Sequence, residues 1–438
     1  MSWKNDLSIL SEDVTIFWFR RDLRLKDNAG LYAALKSSHN VVPVFIFDTR
    51  ILDKLEDNAD ARVEFILESL HALQKELREA GSSLVVLQGD PVTLFEKTKV
   101  RFVYVNHDYE PYAIARDESV ARILAARGGA LTTSKDQVIF DRDEVMKANG
   151  KPYTVFTPYS KVWKAKLNHF YTKAYPSEKY AGCLAKIEER ALPELHDVGF
   201  VKTGRQFPPR VIPRSIISAY DRTRNFPAIR GTSRLSVHLR FGTVSIRQLV
   251  HLALKENQVW LNELIWREFY QMILFHFPQV QHESFKPAYD KIEWRNDEQE
   301  FEAWCNGRTG YPLVDAGMRE LNETGFMHNR VRMVTASFLT KHLLIDWRWG
   351  EAYFGRKLLD YDLASNNGGW QWAAGTGSDA APYFRVFNPA LQAKKFDPKF
   401  EYIMHWVPEF LSDDYVKPIV EHEFARRRAL GAYGVVKN

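Results

Sequence analysis

Cysteine is nearly absent from this chain: Cys183 and Cys305 are the only two in 438 residues. They lie far apart, form no CxxC pair and follow no apolar leader, which argues against a disulfide framework and for a reducing, cytoplasmic setting. Long hydrophobic runs are missing too. The most continuous apolar stretches, "NVVPVFIFD" and "SSLVVLQGD", fall far short of the roughly 20 residues a membrane-spanning helix needs. The amino-terminal "MSWKNDLSILSEDV" carries charge where a signal core would be apolar, so no membrane span is expected. No GxGxxG follows a strand-like run, there is no HExxH, and no Cys/His cluster has ligand spacing. A glycine-rich dinucleotide fingerprint and a metal centre are therefore not expected. Internal repeats and low-complexity tracts are lacking as well, which sets aside solenoids and disorder.

Charge of one sign is only mildly in excess, at a formal +5, which favours a polyanionic partner without requiring one. At 45% hydrophobic residues the chain can bury a large core, and its length suits two to three domains. Aromatic residues make up 13%, with twelve tryptophans crowding into the C-terminal half. Taken singly, a tryptophan is more often core packing than anything else.

The pattern changes once along the chain. Over 12–140, the apolar runs "VTIFWFRRDLRL", "NVVPVFIFD", "SSLVVLQGD" and "RFVYVNHD" read as strands, and 60–80 and 113–127 have helical periodicity. Alternating strands and helices predict a doubly wound parallel sheet, an α/β domain that would bind ligands at the carboxyl ends of its strands. Residues 141–210, rich in Pro, Lys and Tyr, read as a connector wrapping that domain. Over 211–438 strand signals nearly vanish and helical periodicity predicts a second, all-α domain.

Candidate chemistry concentrates in the helical part. In "GTSRLSVHLRFGTVS", Thr232, Ser233 and Ser236 surround Arg234 at the start of a helix. That set suits a phosphate, and it also suits a plain N-cap. In "QVWLNELIWREFYQMILFHFP", Glu263, Trp266, Arg267 and Tyr270 fall at i, i+3, i+4 and i+7 on one face, while Leu264, Ile265, Phe269 and Ile273 serve the core. Glu263 and Arg267 could be an ordinary surface ion pair. Asn329, Arg332 and Met333 form a similar polar face ahead of an apolar helix. Asp360 and Asp362 read as an acidic pair or as an N-cap with a solvated neighbour. In "NNGGWQW", Trp370 and Trp372 diverge by about 200° on a helix, so one faces inward and the other a cavity. Gly368 and Gly369 leave space there for a flat ligand or another backbone, and Asn366 offers its amide nearby.

Taken together, "FWFRRDLRLKDN", "YTVFTPYSKVW", "GTSRLS", "WLNELIWREFY", "GYPLVDAGMREL", "MHNRVRM" and "NNGGWQWAAGTGSDAAPYFRVFNP" resemble the photolyase/cryptochrome family, closest to the class I cyclobutane pyrimidine dimer photolyases. The resemblance runs nearly the whole length. It implies FAD bound in the helical domain and light-driven repair of ultraviolet-damaged DNA. For cofactor binding it implies Tyr220, Thr232, Ser233, Arg234, Leu235 and Ser236, the acidic turn Asp360, Tyr361 and Asp362, and Asn366 beside flavin N5. Trp370, Trp347 and Trp304 match the tryptophan chain that carries an electron from the surface to the flavin. Trp266 and Trp372 match the aromatic walls around a flipped-out dimer, Glu263 its hydrogen-bonding carboxyl, and Asn329, Arg332 and Met333 the same pocket. Arg267 and Tyr270 share the helix face, and Arg224 and Gln392 match positions that touch DNA.

Members with a folate antenna follow Tyr-Glu with an asparagine and an acidic residue, whereas "YEPYAIARD" gives Tyr112 and Ala113, so folate is not expected. A second chromophore is left unidentified. A cryptochrome photoreceptor would often add a long tail, a (6-4) photolyase paired histidines, and a single-strand-specific relative would alter an aromatic wall. A flavoenzyme for small molecules would need a nicotinamide site. A monomer acting on damaged DNA is expected.

Overall fold

The computed structural model describes residues 6–434, so the ends of the chain, including the last four residues of the expected helical domain, lie outside the described residues. The chain divides into two compact units. One comprises residues up to Val145, Trp163–Val211 and Leu235–Lys255; the other comprises Met146–Val162, Ile212–Arg234 and everything from Glu256. These limits depart from the expected cuts at 141 and 211. The stretch read as a connector is shared between the units, and the first unit takes back a segment from inside the helical region.

The first unit is built on a five-stranded parallel sheet of order β3-β2-β1-β4-β5, with β1 Thr15–Phe19, β2 Val41–Asp48, β3 Val85–Gly89, β4 Phe102–Asn106 and β5 Ala130–Ser134. Every residue of β1 and β2 is buried, as a parallel sheet covered on both faces requires. The expected first strand is shorter than its apolar run: after Phe19 the chain leaves the sheet, and Asp22 accepts the Arg20 N–H at 2.7 Å. β5, "ALTTS", was not anticipated, because an edge strand with little burial carries no apolar run. The expected helices appear as Ala61–Glu79, capped by Asp60, and Pro111–Ala125, opened by proline.

Charge explains why Leu235–Lys255 belongs to this unit. Arg247 in that segment bonds Asp27 at 2.8 Å and Asp136 at 2.7 Å, and Arg24 bonds Asp136 at 2.6 Å, all buried. Burial alone would raise the Asp136 carboxyl; the two guanidiniums more than reverse this and hold it at about 2.

The second unit is helical, with no strand among its described residues. Its core gathers Trp304, Met318, Val331, Phe338, Leu339, Trp347, Phe354 and Trp370. Two of its helices carry the aromatic candidates Trp266, Tyr270, Trp370 and Trp372. Gln258–His276 is capped by Asn257, which accepts from the N–H groups of Val259 and Trp260. Leu363–Ala374 is capped by Asp362 and ends at Gly375 with φ 92°, a left-handed turn that glycine adopts without strain.

Candidate functional site

The Gln258–His276 helix divides as its periodicity predicts. Leu264, Ile265, Phe269 and Ile273 are buried, whereas Glu263, Trp266, Arg267 and Tyr270 are half-buried on another face. Glu263 is ion-paired with Arg224, a residue 39 positions away, and hydrogen-bonded to the Tyr220 side chain. Burial pushes the Glu263 carboxyl up, while Arg224 and Tyr220 pull it down; the net shift is upward. Next to Arg224, Asn225 accepts from Arg330 at 2.7 Å, and the Arg330 guanidinium lies 4.4 Å over the ring of Phe396. Phe396 ends the Pro389–Phe396 helix that carries the half-buried Gln392. Arg330 was missed from sequence, though it lies between the expected Asn329 and Arg332. Asn329 is exposed and opens the Asn329–Ser337 helix, where Met333 is half-buried.

Aromatic rings meet beside this cluster. The Trp266 and Tyr270 ring centroids are 5.4 Å apart. Tyr270 and Trp372 both line a cleft with Phe285, Asn367, Gln371 and Asp379. Trp370 is 2% exposed in the core, so the inward and outward division of the two tryptophans holds. The glycines divide differently from expectation. A Cβ at Gly368 would stand 2.2 Å from the Tyr270 ring, so the missing side chain makes room for Tyr270; Gly369 is open, with nothing within 4 Å.

Asp360 accepts from Arg332 at 3.0 and 3.1 Å, while Asp362 is buried as the helix cap, bonding Ser365 through its N–H and hydroxyl. Tyr361 is half-buried against the core. Asn366 donates to the Glu351 main-chain carbonyl at 3.1 Å and carboxylate at 2.8 Å. Its carbonyl oxygen remains available as an acceptor. Glu351 went unnoticed in sequence because it lies in another helix, Trp347–Lys357; burial raises its carboxyl.

The hydroxyls of "GTSRLS" do not cap the following helix, Ser236–Phe241. Its cap position is Leu235, without a side-chain cap bond. Arg234 instead adopts φ 52° and Leu235 φ −80°, a change of hand that turns successive N–H groups toward one concave side. Such a nest holds phosphate oxygens. Thr232 and Ser233 stand half-buried before it. Within the second unit, Thr232, Ser233 and the Arg234 N–H suit a pyrophosphate, the acidic turn suits ribose hydroxyls and the Asn366 amide suits a flavin ring, a donor and acceptor set that fits FAD.

The tryptophan chain needs a correction. Trp304, Trp347 and Trp370 are 0%, 1% and 2% exposed, so none reaches the surface. Trp304 touches Trp370 directly, with centroids 6.0 Å apart, and its indole N–H donates to the Thr335 carbonyl at 3.2 Å. Trp294, Trp349 and Trp406 are half-buried and pack on the same core.

At the strand ends of the first unit, the Tyr112 phenol donates to Asp48 at 2.7 Å, Arg116 lies 4.8 Å over the Trp18 ring, and Ala113 is buried.

A parallel-sheet unit without a glycine fingerprint and a second, helical unit with a tryptophan-lined cleft and a donor and acceptor set that fits FAD define a flavoprotein. Comparison narrows it. Residues 15–179 match the DNA photolyase model and residues 260–412 match the FAD binding domain of DNA photolyase. The deoxyribodipyrimidine photo-lyase of Synechococcus sp. is 40% identical, covering 96% of each chain. A class III photolyase from Agrobacterium tumefaciens superposes with TM-score 0.85 at 34% identity, covering 98% of both chains. An archaeal photolyase from Sulfolobus tokodaii, solved with two FAD molecules, gives 0.82 at 35% identity and covers 96% of this chain and 99% of its own. The chain belongs to the DNA photolyase family. Among the described residues no helix is long and apolar enough to cross a membrane, and no group of side chains is arranged to hold a metal ion.

Proposed function

We propose that this protein repairs DNA in light by splitting cyclobutane pyrimidine dimers. The observation that carries the reading is the cleft lined by Tyr270 and Trp372, with Trp266 packed on Tyr270 and Glu263 one turn from Trp266. Two indoles provide flat walls for an extruded, poorly stacked dimer, and flipping such a lesion costs less than flipping an intact base. Reduced FAD, when bound, supplies the photoexcited electron that opens the cyclobutane ring and regains it afterwards. The protein binds and orients. The 234–236 nest, Thr232, Ser233, Ser236 and Tyr220 hold the phosphate and ribityl end, Asp360 and Asp362 the adenosine end, and Asn366, fixed by Glu351, the flavin edge. Glu263, with its raised carboxyl, keeps a proton toward a pyrimidine carbonyl at a higher pH than an exposed glutamate would. Asn329, Arg332 and Met333 line the pocket, and Arg224, Arg267 and Gln392 meet the DNA strand. Trp370, Trp304 and Trp347 provide oxidisable buried rings for recharging the cofactor.

The first unit serves as an antenna domain, with a second, non-folate chromophore at its strand ends. The chain works as a monomer in the cytoplasm, a setting in keeping with its two free cysteines. The deciding experiment illuminates flavin-loaded protein with a thymine-dimer oligonucleotide under reductant and follows recovery of base absorbance, with a dark control and a (6-4) lesion in parallel. Light-dependent recovery on the cyclobutane dimer alone is expected. Failure despite bound, photoreducible flavin would move the protein to a photoreceptor role.

A further inference from the structure

Phe156, in the segment read from sequence as a connector, lies face to face with Trp266: ring centroids are 3.8 Å apart and the planes differ by 4°. Eclipsed stacking is not the arrangement aromatic quadrupoles prefer, so the surroundings impose it. Phe269, wholly buried, stands beside the pair with its plane nearly perpendicular to both rings, at 5.6 Å from Trp266 and 5.9 Å from Phe156. Phe156 is also tied from another direction. It begins the Phe156–Lys166 helix, and its N–H, an end group with no partner in its own helix, donates to the Asp379 carboxylate at 3.0 Å. Asp379 belongs to the loop after the Trp372 helix and lines the cleft with Trp372. The same loop returns to Trp372 where the Ala381 N–H donates to the Trp372 carbonyl at 3.2 Å. A continuous path of bonds and ring contact thus links one tryptophan wall to the other without any ligand between them.

We propose that Phe156 is a positioning residue for lesion recognition: it covers one face of the Trp266 indole and, through Asp379, sets the angle of that wall relative to Trp372. With one face taken by Phe156, a flipped base can stack on Trp266 from the opposite side only. This inference rests on the reading of the cleft as a dimer pocket.

The test measures binding of flavin-loaded protein to a thymine-dimer oligonucleotide and to the same sequence undamaged, in the dark, for Phe156→Leu, Phe156→Tyr, Asp379→Ala and Trp266→Ala. Leucine keeps bulk but offers no flat face. Phe156→Leu is expected to weaken dimer binding roughly ten-fold, within the range a lost aromatic stack produces, with undamaged-DNA affinity and flavin content unchanged. Phe156→Tyr is expected to restore wild-type discrimination, and Asp379→Ala to fall between. Wild-type discrimination in Phe156→Leu, while Trp266→Ala loses it, would overturn the proposal alone. Undiminished discrimination in Trp266→Ala would overturn the dimer pocket and the proposal with it. Loss of flavin from both Phe156 variants would leave Phe156 a packing residue and equally overturn it.

Discussion

Gly350 lies against the ring of Trp370 so closely that a methyl group at Gly350 would stand 2.1 Å from the outer indole carbon, Cη2. The two helices can approach only because one residue has no side chain, and Trp370 owes its buried position to that absence. Gly350→Ala should therefore displace the indole, costing about 1–3 kcal/mol as overpacking does. Thermal unfolding reads the cost, and slower photoreduction of bound flavin reads the displacement.

Under the proposed roles of the three core tryptophans, recharging is separable from repair. Trp370→Phe should abolish photoreduction of oxidised flavin, yet leave dimer splitting intact once the flavin is reduced chemically. Because Trp304 is enclosed, Trp304→Phe should also block recharging. Of Trp294, Trp349 and Trp406, the one whose phenylalanine variant slows photoreduction is the outer end; wild-type rates in all three would rule out a tryptophan at the surface.

Glu263 and Arg224 are each about one third exposed, so their pairing adds little to stability, under ~1 kcal/mol. Glu263→Gln should leave the melting temperature within a few degrees of wild type while lowering repair rate several-fold, since an amide cannot hold a transferable proton. The pH profile of repair should lose its limb associated with Glu263. An unchanged profile would remove the carboxyl from the chemistry.

Two buried histidines predict acid sensitivity. Burial, reinforced by Arg330, Arg332 and Arg234, lowers His328 to about 4; burial, reinforced by His422, Arg428 and Lys341, lowers His342 to about 3. In the unfolded chain both titrate near 6.5. Above that value folded and unfolded states are equally neutral and the contribution is whole. As pH falls toward about 4, the unfolded chain takes up protons that the fold excludes, and stability drains. Melting temperatures between pH 7 and 4.5 should fall accordingly. His328→Asn, which keeps a capping side chain for the helix, should make that decline shallower.

Much of the architecture was legible in the chain itself. Apolar runs set four of the five strands because a parallel sheet covered on both faces needs continuous burial. The 3.6-residue period sorted Glu263, Trp266 and Tyr270 from Leu264 and Phe269, and two positions of separation put Trp370 and Trp372 on different sides of one helix. All of these follow from local geometry, which each short stretch carries within itself. The polar edge strand Ala130–Ser134 has no such signature. What tertiary packing alone decided are pairings between distant segments: Phe156 on Trp266, Arg224 on Glu263, Glu351 on Asn366, Tyr270 over Gly368, and the enclosure of Trp304. Periodicity says which face of a helix is covered, but the covering partner depends on how separate helices close around one core, and no window along the chain contains both sides of that contact.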